Sequence, residues 1–204
     1  MRERSLPGSP RYNVRMVPVL ETERLKLRAH CMDDFPASAA MWADPQVTRH
    51  FGHSFSEEES WTRFLRYAGH WAMLGFGYWA VEEKATGKFV GETGFADYKR
   101  AIESAIELAP EMGWVLVSAS HGKGYATEAV LAAVAWGDTH FGSQFHGSKP
   151  TTCIIHPENL GSIRVAEKCG YRELERTRYK GQATIVFARI CPESKTEANQ
   201  CSQS

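Results

Sequence analysis

A helix that is apolar around most of its circumference must be packed on several sides, and residues 126–136 describe such a helix. Only Thr127 and Glu128 are polar within it, while Val130, Leu131, Val134 and Trp136 carry bulk to different faces. Two glycines, Gly122 and Gly124, stand before it, and a β-rich run, residues 111–117, stands before them. A strand, a glycine turn and a buried helix in that order call for a layered fold with a sheet beneath the helix. The longest nearly apolar run, residues 129–136, is too short to cross a bilayer.

The remaining pattern supplies the sheet. Residues 24–30 alternate Leu25, Leu27 and Ala29 with Arg24, Lys26 and Arg28, the period of a half-buried strand. Asp33 or Asp34 can cap a short helix through Met41 and Trp42, ended by the Asp44-Pro45 turn. Ser56 followed by Glu59 is a capping box, and behind it Trp61, Phe64, Leu65, Ala68, Trp71 and Ala72 recur at helical spacing until Gly75 and Gly77. Residues 78–84 and 89–97 read as strands joined at Ala85-Thr86-Gly87-Lys88, and residues 103–108 as a further strand candidate. Beyond the buried helix, residues 151–156 predict a strand. Pro157-Glu158-Asn159 opens a helix ending at Cys169-Gly170, and strands over 171–179 and 183–190 turn at Lys180-Gly181. The order predicts an α+β fold around one mixed sheet rather than regular βαβ winding.

Composition narrows the function. The 204 residues carry 24 Lys+Arg against 24 Asp+Glu, and no basic stripe is visible, so no nucleic-acid partner is expected. The first twenty residues hold Arg2, Arg4, Arg11 and Arg15 without an apolar block and do not read as a secretory signal. Five cysteines, an odd number without a Cys-x-x-Cys pair, fit a reducing, cytoplasmic setting without structural zinc. His50-x-x-His53 lacks a third ligand, so no metal is expected. No membrane association is expected either. Residues 1–18 and 192–204 lack an apolar period and are expected to be disordered arms, leaving one domain over 19–191.

The chemistry concentrates in His121-Gly122-Lys123-Gly124-Tyr125-Ala126-Thr127-Glu128-Ala129. A helix start exposes unpaired N–H groups and the positive end of the helix dipole, and glycines let a phosphate approach the backbone. The Walker A pattern is absent, and the Rossmann fingerprint fails because position 127 is Thr. A third pattern, [QR]-x-x-G-x-[GA], belongs to the pyrophosphate loop of coenzyme A-dependent acetyltransferases. Gly124 and Ala126 fit it, whereas His121 stands where Gln or Arg is usual. An ordinary glycine turn before a helix is the alternative.

A second segment, Asn159-Leu160-Gly161-Ser162-Ile163-Arg164-Val165-Ala166-Glu167-Lys168-Cys169-Gly170-Tyr171, follows a strand and a proline. With the loop, and with Glu21-Thr22-Glu23-Arg24-Leu25, Asp44-Pro45-Gln46-Val47, Gly75-Phe76-Gly77-Tyr78-Trp79-Ala80-Val81, Gly91-Glu92-Thr93-Gly94-Phe95 and Glu111-Met112-Gly113-Trp114, it resembles the GNAT superfamily of N-acetyltransferases. The likeness covers about residues 20–190 and is nearest to the RimJ/RimL-type branch. It implies a single GNAT-like domain whose central, mostly antiparallel twisted sheet is flanked by helices and splays at an acetyl-CoA site. It implies acetyl-CoA as co-substrate, an amine acceptor, and a monomer or homodimer.

Residue by residue, the resemblance implies that Trp114, Val115 and Leu116 lie nearest the thioester and that a strand N–H polarises the acetyl carbonyl. The N–H groups of Gly122, Lys123, Gly124, Tyr125 and Ala126, beside His121, are expected to hold the pyrophosphate. Asn159 is expected on the pantetheine arm, or as a plain helix N-cap. The tyrosine that many relatives carry eight positions into the second motif is replaced by Ala166. Ser162, at the fourth position as in RimL-type members, is then the candidate proton donor to the thiolate, or a first-turn helix residue.

At pH 7 an α-amine with pKa about 7.8 is roughly one-seventh neutral, and a lysine with pKa about 10.4 only about one part in 2,500. A lysine acceptor needs a base more than an N-terminus does. Glu111 is the candidate, acting through a water, or else an exposed strand-end carboxylate. Trp42, Arg49, Phe51 and His53, with Phe55, are expected to wall the acceptor site, or to serve packing. Cys153 and Cys169 are expected to be buried rather than acyl carriers. The expected activity is N-acetyl transfer to a primary amine of a protein N-terminus or a small molecule, by direct attack in a ternary complex. The alternatives are another acyl-CoA such as succinyl-CoA, or a catalytically weak CoA-binding regulatory module.

Overall fold

The computed structural model describes residues 17–104, 110–144 and 150–189. β1 (Leu20–Glu21) and β2 (Leu25–Arg28) lead through a 3-10 turn, Met32–Asp34, into α1 (Phe35–Ala43) and α2 (Pro45–Thr48). Next come α3 (Glu57–Leu74), the hairpin of β3 (Tyr78–Glu83) and β4 (Lys88–Ala96), then β5 (Glu111–Leu116) and α4 (Tyr125–Gln144). β6 (Thr151–Ile155), α5 (Leu160–Lys168) and a second hairpin of β7 (Arg172–Tyr179) and β8 (Gln182–Arg189) follow. The strands form one eight-stranded sheet in the order β1-β2-β3-β4-β5-β6-β8-β7. Every junction is antiparallel except β5–β6. This is the expected α+β architecture: a mixed, mostly antiparallel sheet flanked by helices.

Local chemistry sets the helix ends. The Glu59 N–H donates to Ser56 Oγ at 3.2 Å and the Ser56 N–H donates back to the Glu59 carboxylate at 2.9 Å, closing the capping box of α3. Asp34 precedes α1, yet its carboxylate accepts from the Cys31 N–H and from Arg28 instead of capping the helix. The Asp44-Pro45 turn ends α1 and also starts α2, because Asp44 accepts from the Gln46 N–H at 2.8 Å.

Three expectations shift. α4 runs past residue 136, where Gly137 and a polar stretch hide the continuation. A Cβ at Gly137 would lie 2.8 Å from the Phe95 ring, so that glycine brings the helix close onto β4. The strand candidate over 103–108 is not borne out where it is described. Ile102 makes an isolated bridge to Tyr179, Glu103 and Ser104 form a bend that hydrogen-bonds to β7 without strand pairing, and residues 105–108 lie outside the described residues. Of the two expected arms, only residues 17 and 18 are described. Val17 packs against the core, and the Pro18 carbonyl accepts from the Trp79 indole N–H at 2.8 Å.

The core lies between α4 and the sheet. Trp71, Trp79 and Trp136 meet edge to face, with ring centroids 4.8 Å apart for Trp71–Trp79 and 5.1 Å for Trp79–Trp136. Phe95 and Phe141 continue the cluster at 4.9 Å. Side chains of this size contribute about 1.5–3 kcal/mol each on burial. No helix among the described residues is long and apolar enough to cross a membrane.

Candidate active site

The sheet opens at its centre. β5 pairs with β4 along six residues, from Ala96↔Glu111 to Gly91↔Leu116, but touches β6 at one pair alone, Glu111↔Thr152. The Thr152 N–H donates to the Pro110 carbonyl at 3.1 Å, after which the two strands part. The Val117 N–H donates to the Val90 carbonyl on the β4 side at 3.0 Å. Strand alternation therefore turns the N–H and C=O groups of Met112, Trp114 and Leu116 toward the gap. β6 pairs with no residue of β5 past Glu111, so the N–H and C=O groups of Trp114 and Leu116 face a cleft of about 1160 Å³ without a partner on β6.

The same alternation sorts the side chains. Met112 and Leu116 enter the core under α4, with Trp114 packed against it. Glu111, Gly113 and Val115 face the other way. A Cβ on Gly113 would lie 1.9 Å from the Tyr78 hydroxyl, so only glycine lets that buried ring lie under the strand. Tyr78 is hydrogen-bonded to Tyr98, and burial raises both phenols above their ordinary value.

At one end of the cleft the chain turns into α4. Gly122 and Gly124 adopt left-handed backbone, φ 76° and 81°, which brings the N–H groups of the turn and of Tyr125 and Ala126 together at the helix start. His121 folds back, its Nε2 lying 3.0 Å from the Leu116 carbonyl that the open strand edge presents. The turn is braced from the β1–β2 connection. Glu128 accepts from Thr22 Oγ1 at 2.6 Å, from the Arg24 N–H at 2.9 Å and from Arg24 Nε at 2.7 Å, while Arg24 also donates to the Lys123 carbonyl at 3.0 Å. Sequence reasoning noted Thr22 and Arg24 within a motif and missed their task. Their pairing with Glu128 spans more than a hundred residues and left no local signal.

Across the cleft stands the start of α5. The Ser162 N–H donates to Asn159 Oδ1 at 3.1 Å, so Asn159 is the N-cap and holds Ser162 in the first turn; both side chains line the cleft. Glu111 is 5% exposed, not an exposed strand-end carboxylate. Arg100 clamps it from two nitrogens, Nε at 2.6 Å and Nη2 at 2.7 Å, and Arg100 Nη1 donates to the Tyr179 hydroxyl at 3.1 Å. Burial pushes the Glu111 carboxyl up, against the downward pull of Arg100. Arg100 had no signal in the sequence.

The wall formed by the N-terminal helices holds the expected aromatic segment. Trp42 is buried and donates its indole N–H to Glu92 at 3.1 Å. Glu92 is wholly buried and also accepts from Ser38 at 2.5 Å and Tyr67 at 2.6 Å. Phe51 and Phe55 meet the Trp42 ring edge to face at 5.2 and 5.1 Å. Arg49 and His53 are exposed on the cleft rim, and His53 pairs with Glu59 at 3.3 Å while His50 stacks on His156. His50 and His53 thus part to different neighbours, and no cluster of three metal-ligating side chains occurs among the described residues. Two arginines that sequence reasoning passed over, Arg63 and Arg66, enter the cleft from α3 one turn apart. Cys153 and Cys169 are buried, and burial pushes the Cys169 thiol up to about 11.

Comparison with known proteins follows the same lines. Residues 24–172 match the family model described as "Acetyltransferase (GNAT) domain". The "uncharacterized protein YkkB" of Bacillus subtilis (strain 168) is 28% identical over 177 residues, 83% of this chain and 94% of that protein. The "uncharacterized N-acetyltransferase YoaA" of the same organism is 27% identical over 163 residues, 78% of this chain and 85% of that one. Among solved structures, a putative GnaT-family acetyltransferase from Bordetella pertussis superposes with a TM-score of 0.72 at 29% identity, covering 85% of this chain and 99% of that one.

Proposed function

The chain belongs to the GNAT acetyltransferase family, an acetyl-CoA-dependent acyltransferase, and we propose that it acetylates a primary amine by direct attack in a ternary complex. One observation carries the reading: a strand edge left without a β6 partner beyond Met112 runs into a glycine turn at a helix start. The donor set suits the co-substrate at both ends. Amide-rich pantetheine pairs with the open edge at Trp114 and Leu116, beside Val115, as another strand would. Pyrophosphate sits on the N–H groups of Gly122, Lys123, Gly124, Tyr125 and Ala126, with Lys123 adding charge.

Bound acetyl-CoA supplies an activated thioester, and the remaining work falls to this chain. A β5 N–H aimed at the acetyl carbonyl acts as an oxyanion donor, a device typically contributing about 3 kcal/mol. The amine lone pair forms the C–N bond as the C–S bond breaks. Ser162 gives a proton to the departing sulfur, and the amine proton passes through a water to Glu111, whose oxygens each keep a lone pair beyond those taken by Arg100. Asn159 holds both Ser162 and the pantetheine arm. Trp42, Arg49, Phe51 and His53 frame the acceptor. The burial of Cys153 and Cys169 supports direct transfer over an acyl-cysteine route. Ser162 together with Ala166 favours the RimJ/RimL-type branch.

The test is release of free thiol from acetyl-CoA across a panel of amines: protein N-terminal peptides, amino acids, polyamines and aminoglycosides. Release with at least one acceptor, accompanied by the mass of one acetyl group on that acceptor, is expected. Absence of release with every amine would sink the proposal.

A further inference from the structure

The charged side chains along the cleft are strongly one-sided. Among the described residues Glu111 is the single carboxylate lining it, and both its oxygens are bound by Arg100. On the acceptor side Arg49, Arg63, Arg66 and Lys180 face the same space without an ion-pair partner among the described residues. Arg63 is the telling one. Its guanidinium lies over the Trp42 ring at 3.9 Å and the Phe55 ring at 4.7 Å, and its Nε is buried with no hydrogen-bond acceptor. Stacking uses the face of a guanidinium and leaves its edge unspent, and no hydrogen bond is made by the four N–H donors of the two Nη groups of Arg63 among the described residues. Arg66 sits one helical turn on, over Tyr98 at 4.9 Å, and Arg100 covers the same ring at 4.4 Å. Arginines held flat on aromatic rings are pre-positioned, so a ligand that engages their edges does not have to order them.

The stacked Arg63 and Arg66 offer the terminal edges of their guanidinium groups to the cleft, and no carboxylate among the described residues takes them. We propose that the acceptor amine is carried on a molecule with a carboxylate close to the amine, and that the Arg63–Arg66 pair binds that carboxylate. The inference rests on the acetyl-transfer reading and adds its substrate class. The chemistry is consistent on both sides of the molecule. A planar carboxylate matches the guanidinium fork bidentately, which a neutral amide does not. Neighbouring cations disfavour the ammonium form of the amine, raising the fraction present as nucleophile. A polyamine, whose further ammonium groups would face the same arginines, is disfavoured for the same reason.

The carboxylate can belong to a free amino acid or to an acidic residue beside a peptide N-terminus, and two arms separate these sources. Thiol release from acetyl-CoA is measured with the full chain on L-alanine against L-alaninamide, compared per neutral amine. The peptide arm compares the tripeptide amides Ser-Asp-Ala and Ser-Asn-Ala, with spermidine as the cationic control. The expected result is a preference of about tenfold or more for the carboxylate member of one pair. Arg63→Gln and Arg66→Gln are expected to cut that preference to about threefold or less, with Arg63→Lys between them because it keeps charge and loses the fork. A CoA-induced rise in melting temperature confirms that each variant is folded. Equal use of both members of each pair, preference for spermidine, or a preference unmoved in the folded variants would overturn the inference. In the last three cases thiol release persists and acetyl transfer stands. No release from any acceptor would remove both.

Discussion

Arg100 holds Glu111 with two hydrogen bonds, 2.6 and 2.7 Å long, at the residue where β5 makes its last contact with β6. The pair therefore marks the point at which the sheet opens, and it sets the charge of the cleft floor. A fork-to-carboxylate pair of this kind fixes geometry as well as charge. Among the described residues the one carboxylate lining the cleft is thus already paired with Arg100, while Arg49, Arg63, Arg66 and Lys180 line the same cleft.

CoA is expected to raise the melting temperature, by the equivalent of about 2.7 kcal/mol at a hundredfold excess over the dissociation constant. Gly124→Asp is expected to abolish that rise. The position has φ 81°, and its new side chain would bring a carboxylate to the place where phosphate belongs, with its Cβ 3.4 Å from the Arg24 guanidinium. A folded Gly124→Asp variant that is still stabilised by CoA would remove the turn from the cofactor site.

Ser162→Ala is expected to lower kcat about tenfold or more while leaving the CoA-induced stabilisation in place. The cap is unaffected, because Asn159 accepts from the backbone N–H of residue 162 rather than from its hydroxyl. A rate within about twofold of the parent would leave Ser162 as a first-turn residue only.

Asp34 makes the acid limb of stability testable. Burial works to raise its pKa, but Arg28 at 2.7 and 2.8 Å and the Cys31 N–H at 2.9 Å hold the carboxyl below its ordinary value. A folded-state pKa below the unfolded one, about 3.9, gives stabilisation that is complete above that value and is lost as pH falls through the lower folded value. Asp34→Asn is expected to reduce stability at neutral pH by about 2 kcal/mol and to flatten the fall in melting temperature below about pH 4. Thermal denaturation across that range checks it; identical acid slopes in parent and variant would assign the slope elsewhere.

Most of the fold was legible because its signals are local. The Ser56–Glu59 box, the alternation of residues 25–28 and the Gly122–Gly124 turn each declare an element within a few residues. The parts that were not legible depend on distant partners. Gly137 reads as a helix breaker until Phe95 is known to lie against it. Glu111 reads as a strand-end acid until Arg100 is folded onto it. Thr22, Arg24 and Glu128 form one brace only when the β1–β2 connection and α4 meet. The cleft wall built by the N-terminal helices was half visible: its aromatic residues stood out by clustering, whereas Arg63 and Arg66 fall outside the apolar spacing of α3 and carried no signal of their place in the cleft.

The base on the acceptor side can be tested by separating what Glu111 does electrostatically from what it does for the sheet. Glu111→Gln keeps the shape but sets an amide against Arg100, so a loss of melting temperature is expected, on the order of 3 kcal/mol for breaking a buried pair. That loss alone says nothing about catalysis. If Glu111 takes the amine proton through a water, the fall in kcat is larger for acceptors of high pKa, whose neutral fraction is smaller. It also shrinks as pH rises and solvent performs the deprotonation. At pH 9 an amine of pKa about 7.8 is more than about nine-tenths neutral, and almost nothing is left for the base to do in preparing that nucleophile. A Glu111 that only anchors Arg100 gives a loss independent of both acceptor pKa and pH. The measurement is a pH–rate profile for parent and Glu111→Gln on one weakly and one strongly basic acceptor, below the melting transition of the variant. Converging profiles at high pH for the weakly basic amine, with a persisting gap for the strongly basic one, are expected. Parallel profiles for both would take Glu111 out of proton transfer and leave it as the clamp that positions Arg100.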